Sequence, residues 1–466
     1  MPPLSRRAAG ALLLSPLFVP LLAGSAMAAP RPSSPKLSPK ASAKGPLGNS
    51  GFVAAWEGAA QGPYPVGNPA AQPDLRFAFP DATEGAREQS FRLVLRPDVW
   101  GRQARLRLTN AFGTHPVTFA DIYVGLQQSG ATLVPGTNRG VKFAGKRVLH
   151  LAPGQSAVSD PVGLPFVGGI TPRFLAGRRL AVSFHVVGTS GPMTWHAKAM
   201  TTSYLSLSGA GSHSGDETET AFPSSTTSWF FLDLVEMGVG PDLGTVVCLG
   251  DSLTDGTAST LNGDDRWPDQ LSRRLKAAGN AIAVVNAGIG GNRVVGPAEY
   301  TTAEPFAGGP SALARLERDV ISLPGVTHVV WLEGINDLGK SGGWLAATPV
   351  IAGFREGVAR LRAAIPGVKI IGATLPSVLG STNPGHGTSN QDAERHKLND
   401  FIRSGDLFDH VADFDRTTLD PQTGGLRPEF VPDSATGGPG DKVHPNRAGY
   451  LAMAQTLDVA WFTRHR

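Results

Sequence analysis

The sequence predicts two structural parts: an all-β, sandwich-like region over residues 51–240, then an α/β region over 241–466 whose parallel sheet is sandwiched by helices. Three observations predict this. Residues after 50 alternate apolar and polar positions with period two, and residues from 244 onward interleave short apolar runs with amphipathic stretches. In addition, 58 glycines and 38 prolines among 466 residues supply many turns. A chain of this length, 41% hydrophobic, holds more than one ordinary domain needs.

The first 50 residues stand apart. Arg6 and Arg7 precede the apolar ALLLSPLFVPLLAG, and SAMAAP offers Ala26 and Ala28 to a signal peptidase. Residues 1–28 therefore read as an export signal, its apolar run too short to span a bilayer. The expected mature protein is periplasmic or extracellular, without a transmembrane segment. Ser5-Arg6-Arg7 hints at twin-arginine export, but the residues after it give that route little support. Residues 29–50, rich in Pro, Ser, Ala and Lys, read as a disordered or extended linker. Six cations and no acid fall within residues 1–50, so the net charge of +4 becomes −2 over residues 51–466. The folded part has no nucleic-acid footprint.

In the β region, SFRLVLRP sets Phe91, Leu93 and Leu95 against Arg92, Val94 and Arg96. ARLRLTNAFG sets Ala104, Leu106 and Leu108 against Arg105, Arg107 and Thr109, and RRLAVSFHVVG continues through Leu180, Val182, Phe184 and Val186. Such runs, separated by Gly, Pro and Asn turns, argue for antiparallel strands. Trp56, Trp195 and Trp229 read as core residues.

From Gly244 the elements alternate. TVVCLG is a strand, RWPDQLSRRLKAAG a helix ending at Gly279, AIAVVNAG a strand, SALARLERDVISL a helix and THVVWLEG a strand. VIAGFREGVARLRAAI is a helix, VKIIGAT a strand, AERHKLNDFIRSG a helix, HVADFD a strand and NRAGYLAMAQTLDVAWF the closing helix. Apolar strands interleaved with helices mean a parallel sheet covered on both faces, whose ligands bind at the carboxyl ends of the strands. Cys248, the single cysteine, lies inside the first of these strands and reads as a small buried hydrophobe. It also excludes any intrachain disulfide.

Four segments fall at that edge. Ser252 follows the first strand, NAGIGGNR (286–293) the second and EGINDLG (333–339) the third, while DKVHPN (441–446) precedes the last helix. Together they supply what acyl transfer needs. A serine hydroxyl is a poor nucleophile until a base takes its proton, and His444 is the candidate base. Asp441, three residues earlier in a turn, can reach the imidazole and fix its tautomer. The Ser252 N–H, a glycine N–H in the second loop and the Asn336 amide can stabilise an oxyanion. Among the loop glycines, Gly288, Gly290 and Gly291 all remain open on these grounds. Asp251 and Asp337 read as hydrogen-bonding supports of the loops. His115, His185, His196 and His328 read as ordinary, whereas His386, in the loop GSTNPGHGTSN, can border an acyl pocket.

GDSL around Ser252, NAGIGGN, GIND and DKVHP resemble, in order, the four blocks of the SGNH (GDSL-type) hydrolases. The resemblance implies a flavodoxin-like sheet, Ser252 as nucleophile, Gly291 and Asn336 in the oxyanion hole, and His444 as base with Asp441 behind it. The motifs span about residues 245–460. The stretch from GFVAAWEGAA through TNAFGTH also resembles the N-terminal β-domain of a secreted bacterial subgroup.

The function expected is a secreted carboxylic-ester hydrolase acting on short acyl or acetyl esters of a small molecule or carbohydrate, with no cofactor and no metal. A lysophospholipid or other lipid esterase is the alternative, although no lid-like apolar helix marks a long-chain lipase. Two rivals fit less well. A metallophosphoesterase needs histidine-rich ligand loops that are missing, and a polysaccharide-binding protein has no reason to assemble the Ser/Gly/Asn/His set.

Overall fold

The computed structural model describes residues 51–67, 74–169, 172–240 and 242–463. The expected signal and linker lie outside them. All the described residues belong to one compact unit.

In the β region, β1 (Phe52–Glu57), β2 (Arg87–Leu95), β3 (Gln103–Thr109), β4 (Val117–Ser129), β5 (Leu180–Thr189), β6 (Thr194–His196) and β7 (Leu232–Gly238) all pair antiparallel. One sheet is built on β1, β7 and β3, and a larger one on β2, β5 and β4. Their apolar faces share a core that includes Phe91, Phe119, Phe184, Leu106 and Val235. Trp56, Trp195 and Trp229 are buried in it.

One detail differs from the period-two reading. Arg92, expected on the polar face, is fully buried, because the segment around residues 203–222 covers that face. Its guanidinium donates to the Ala131 carbonyl at 2.6 Å, the Thr218 carbonyl at 3.2 Å and the Ser183 hydroxyl at 3.0 Å, and stacks 4.1 Å above the Phe222 ring. A buried cation persists only when its donors are satisfied in this way.

The second region holds β8 (Gly244–Gly250), α1 (Ser252–Asp255), α2 (Trp267–Ala277), β9 (Ile282–Gly288), α3 (Ala312–Leu316), β10 (Val326–Leu332), α4 (Ala347–Ala364), β11 (Lys369–Ala373), α5 (Ser389–Ser404), β12 (His410–Ala412) and α6 (Arg447–Gln455). The five strands are parallel in the order β9-β8-β10-β11-β12. This is the flavodoxin-like order 2-1-3-4-5, whose reversal flanks the first strand. Every residue of β8 is buried, Cys248 included, as expected of a central strand with both faces covered. The expected helix from Ser311 is not uniform: after α3 the chain widens to i→i+5 winding over Glu317–Ile321. Likewise, the closing helix stops at Gln455, and a 3₁₀ turn over Val459–Phe462 follows. Among the described residues no helix is long and apolar enough to cross a membrane.

The two regions meet through buried polar contacts. Ala54 N–H donates to the Pro324 carbonyl at 3.0 Å, and Asp98 accepts from the Val284 N–H at 2.7 Å. Arg107 pairs with Asp233 at 2.8 Å and donates to the Arg318 carbonyl at 3.2 Å.

Candidate active site

The end of β8 shapes the approach to Ser252. Gly250 can only be glycine, because a Cβ there would run into the Leu332 carbonyl and the Thr254 side chain. Asp251 caps α1, its carboxylate accepting from the Leu253 N–H at 2.9 Å. Ser252 is thus the first residue of a one-turn helix, and its N–H, free of any intrahelical role, has no hydrogen-bond partner among the described residues.

His444 arrives from the loop before α6. Its Nε2 lies 2.8 Å from the Ser252 Oγ, and its Nδ1 lies 2.7 Å from Asp441 Oδ2. The other Asp441 oxygen accepts from the Val443 and His444 N–H groups, both at 2.9 Å. Burial raises the Asp441 carboxyl, but the His444 ring and these N–H groups outweigh it and hold the acid well below the usual carboxylate range. The side chains of Ser252, His444 and Asp441 therefore stand in one hydrogen-bonded series.

Opposite them lies the loop after β9. Asn292 N–H donates to the Ile289 carbonyl at 3.0 Å, and Gly291 has φ +82°, as the third residue of a type II turn requires. The three glycines differ in what their N–H groups do. Gly288 donates to the Asn286 side chain at 2.9 Å and Gly290 to Asp255 Oδ2 at 3.1 Å. The Gly291 N–H has no partner among the described residues. Asn336, mostly buried, donates through Nδ2 to the Asn292 carbonyl at 2.9 Å.

Beneath the site, Asp337 accepts from the Val294 and Val295 N–H groups at 2.9 and 3.1 Å, and burial pushes its carboxyl up to about 6. Burial likewise raises Asp251 and brings Glu333 up to about 7. Asp251 and Asp337 thus each accept from backbone N–H groups beside the site.

Sequence reasoning missed Arg315, which is fully buried and donates to the Gly250 carbonyl at 2.9 Å, the Ala287 carbonyl at 2.7 Å and Asn292 Oδ1 at 2.8 Å. It ties the ends of β8 and β9 to the turn. Its place in an amphipathic helix gave no signal, because arginine is ordinarily an exposed residue there. His386 accepts at Nδ1 from the Gln391 amide at 2.9 Å, leaving its proton on Nε2. Burial, followed by the neighbouring His444, pushes it down to about 4. Its loop is fastened to the site on both sides. The Thr382 N–H and Ser381 hydroxyl donate to the Asp441 carbonyl at 3.1 and 3.0 Å, and Lys340 N–H donates to the Gly385 carbonyl at 3.0 Å.

Residues 248–452 match the GDSL-like Lipase/Acylhydrolase family, and that match marks them as a carboxylic-ester hydrolase domain. The match does not extend into the β region. Similar solved structures include a carbohydrate acetylesterase family member from Sinorhizobium meliloti, with 21% identity, 46% of this chain and 95% of that one covered, and a TM-score of 0.34. The lipase/acylhydrolase from Enterococcus faecalis is 23% identical over 46% of this chain and 92% of its own, with a TM-score of 0.33. The M. smegmatis aryl esterase is 16% identical over 46% and 95%, with a TM-score of 0.34. The assignment rests on the family match and not on these likenesses. No curated protein sequence matches the chain.

Proposed function

We propose that this chain is an exported serine esterase that removes short acyl groups, acetyl above all, from a carbohydrate or other extracellular ester. The observation that carries the reading is the unbroken series from Ser252 Oγ through His444 to Asp441, at 2.8 and 2.7 Å. Ser252 Oγ attacks the acyl carbon as its proton passes to His444 Nε2, and the carbonyl π electrons move onto oxygen. The N–H groups of Ser252 and Gly291 and the Asn336 amide stabilise that oxyanion. Collapse expels the alcohol, which takes the proton from His444 and leaves an acyl-Ser252. Water then attacks with His444 again as base, releasing the acid and restoring the serine. Gly291 is favoured over Gly288 and Gly290 because their N–H groups are already engaged. His386, with a proton on Nε2, borders the acyl pocket.

Purified chain should hydrolyse p-nitrophenyl acetate faster than its longer-chain homologues and should also deacetylate oligosaccharides. Ser252→Ala should abolish both activities and labelling by a fluorophosphonate, while a chelator leaves the wild type unaffected. Turnover that survives in Ser252→Ala, or that vanishes with chelator, would overturn the reading.

A further inference from the structure

The β region reaches the candidate oxyanion turn from two sides. On the inner side, His196, the last residue of β6, points its Nε2 at Asp255 Oδ1 at 3.2 Å, and its Nδ1 lies 2.8 Å from the Ala59 carbonyl. The other oxygen of Asp255 accepts the Gly290 N–H at 3.1 Å. One carboxylate thus joins a β-region side chain to the middle of the turn. Lys198, from the same segment as His196, runs alongside with its ammonium donating to the Thr257 hydroxyl at 2.6 Å. All three side chains are almost wholly buried.

On the outer side stands Gln61. Its Oε1 accepts from the Ala197 N–H at 3.0 Å and its Nε2 donates to the Ala307 carbonyl at 2.9 Å. The next residue, Gly308, lies so close to the turn that a Cβ on it would run into the Gly291 carbonyl. Its own carbonyl accepts from the Asn292 side chain at 2.6 Å. The central peptide of the turn, between Gly290 and Gly291, is therefore flanked by two contacts, Asp255 at the Gly290 N–H and Gly308 at the Gly291 carbonyl, each braced by a β-region side chain.

In a type II turn the orientation of that central peptide decides where the N–H of its third residue points, and a flip to the type I arrangement would redirect it. Asp255 and Gly308, the second-region groups nearest Gly290 and Gly291, are themselves braced from the β region by His196 and, through Ala307, by Gln61. We propose that His196, through Asp255, and Gln61, through Ala307, are positioning residues that aim the Gly291 N–H at the reacting carbonyl oxygen. The β region is then a working part of the catalytic centre rather than a separate binding module. This inference rests on the serine-esterase reading and on Gly291 as an oxyanion donor.

The test uses the full chain and p-nitrophenyl acetate. His196→Leu and Gln61→Leu should each lower kcat by about 10- to 100-fold, the scale of a misplaced catalytic group, with KM little changed. Affinity for phenylboronic acid, which forms a tetrahedral adduct on the serine, should weaken by the same factor as kcat/KM. His196→Gln, which keeps a donor toward Asp255, should recover much of the rate. Should His196→Leu fail to fold, the isosteric Asp255→Asn reads the same link. Folded variants with wild-type kcat, or a fall in kcat/KM without weaker boronate binding, overturn the inference alone. A wild-type chain with no turnover overturns the esterase reading and this inference with it.

Discussion

The Asn336 side chain donates to the Asn292 carbonyl through one N–H of its amide. That bond orients the group, and in the reaction proposed above its second N–H serves the oxyanion. Asn336→Ala should therefore lower kcat by about 10²- to 10³-fold, with little change in KM, in steady-state kinetics on a nitrophenyl ester. The residues at this scale were legible to the degree that chemistry restricts them. A serine at a strand end, a histidine three residues after an aspartate and an asparagine after another strand are rarely found together without a reason. The resemblance pointed to Gly291 among Gly288, Gly290 and Gly291; the residues alone left the three open, because it is hydrogen-bond partners that tell their N–H groups apart. His196 read as an ordinary histidine, and nothing in its own neighbourhood could show that it ends beside Asp255, 59 residues later.

Among the elements, the strands and helices of the second region follow their apolar periodicity closely, because a sheet buried on both faces leaves little choice of residue. The β region was less transparent. Its period-two pattern locates β2, but not the covering segment that buries Arg92. Helix α4 shows how tightly the layers fit. A Cβ at Gly357 would run into the ring of Trp331, which sits in β10 with its ring centroid 4.8 Å from that of Phe354. Alanine in a helix interior gains roughly 1 kcal/mol over glycine, but overpacking a filled core typically costs about 1–3 kcal/mol. Gly357→Ala should lose stability on balance, by up to about 2 kcal/mol, as a fall in the urea midpoint at unchanged slope.

Across the whole molecule, a chain of buried charges runs from the β region to the site. Arg107 pairs with Asp233 at 2.8 Å and also reaches the Arg318 carbonyl, while Asp319 accepts from Arg318 at 2.8 Å and from Arg315 at 3.1 Å. Arg315 in turn holds the Gly250 carbonyl, two residues before Ser252. Removing one member of such a set leaves charges buried without compensation. Asp319→Ala should thus cost about 3–5 kcal/mol in denaturant unfolding. The whole-molecule arrangement was the least legible in the sequence, because Arg107, Asp233 and Asp319 lie far apart along the chain and meet only once both regions have packed. Cys248 draws a last consequence from that packing. The single thiol of the chain is sealed in the strand that presents Ser252, and burial keeps it from ionising. It is a built-in clock: a disulfide reagent in solution can reach it only when the sheet opens, so the pace of its modification counts how often the nucleophile's support comes apart, with no label added.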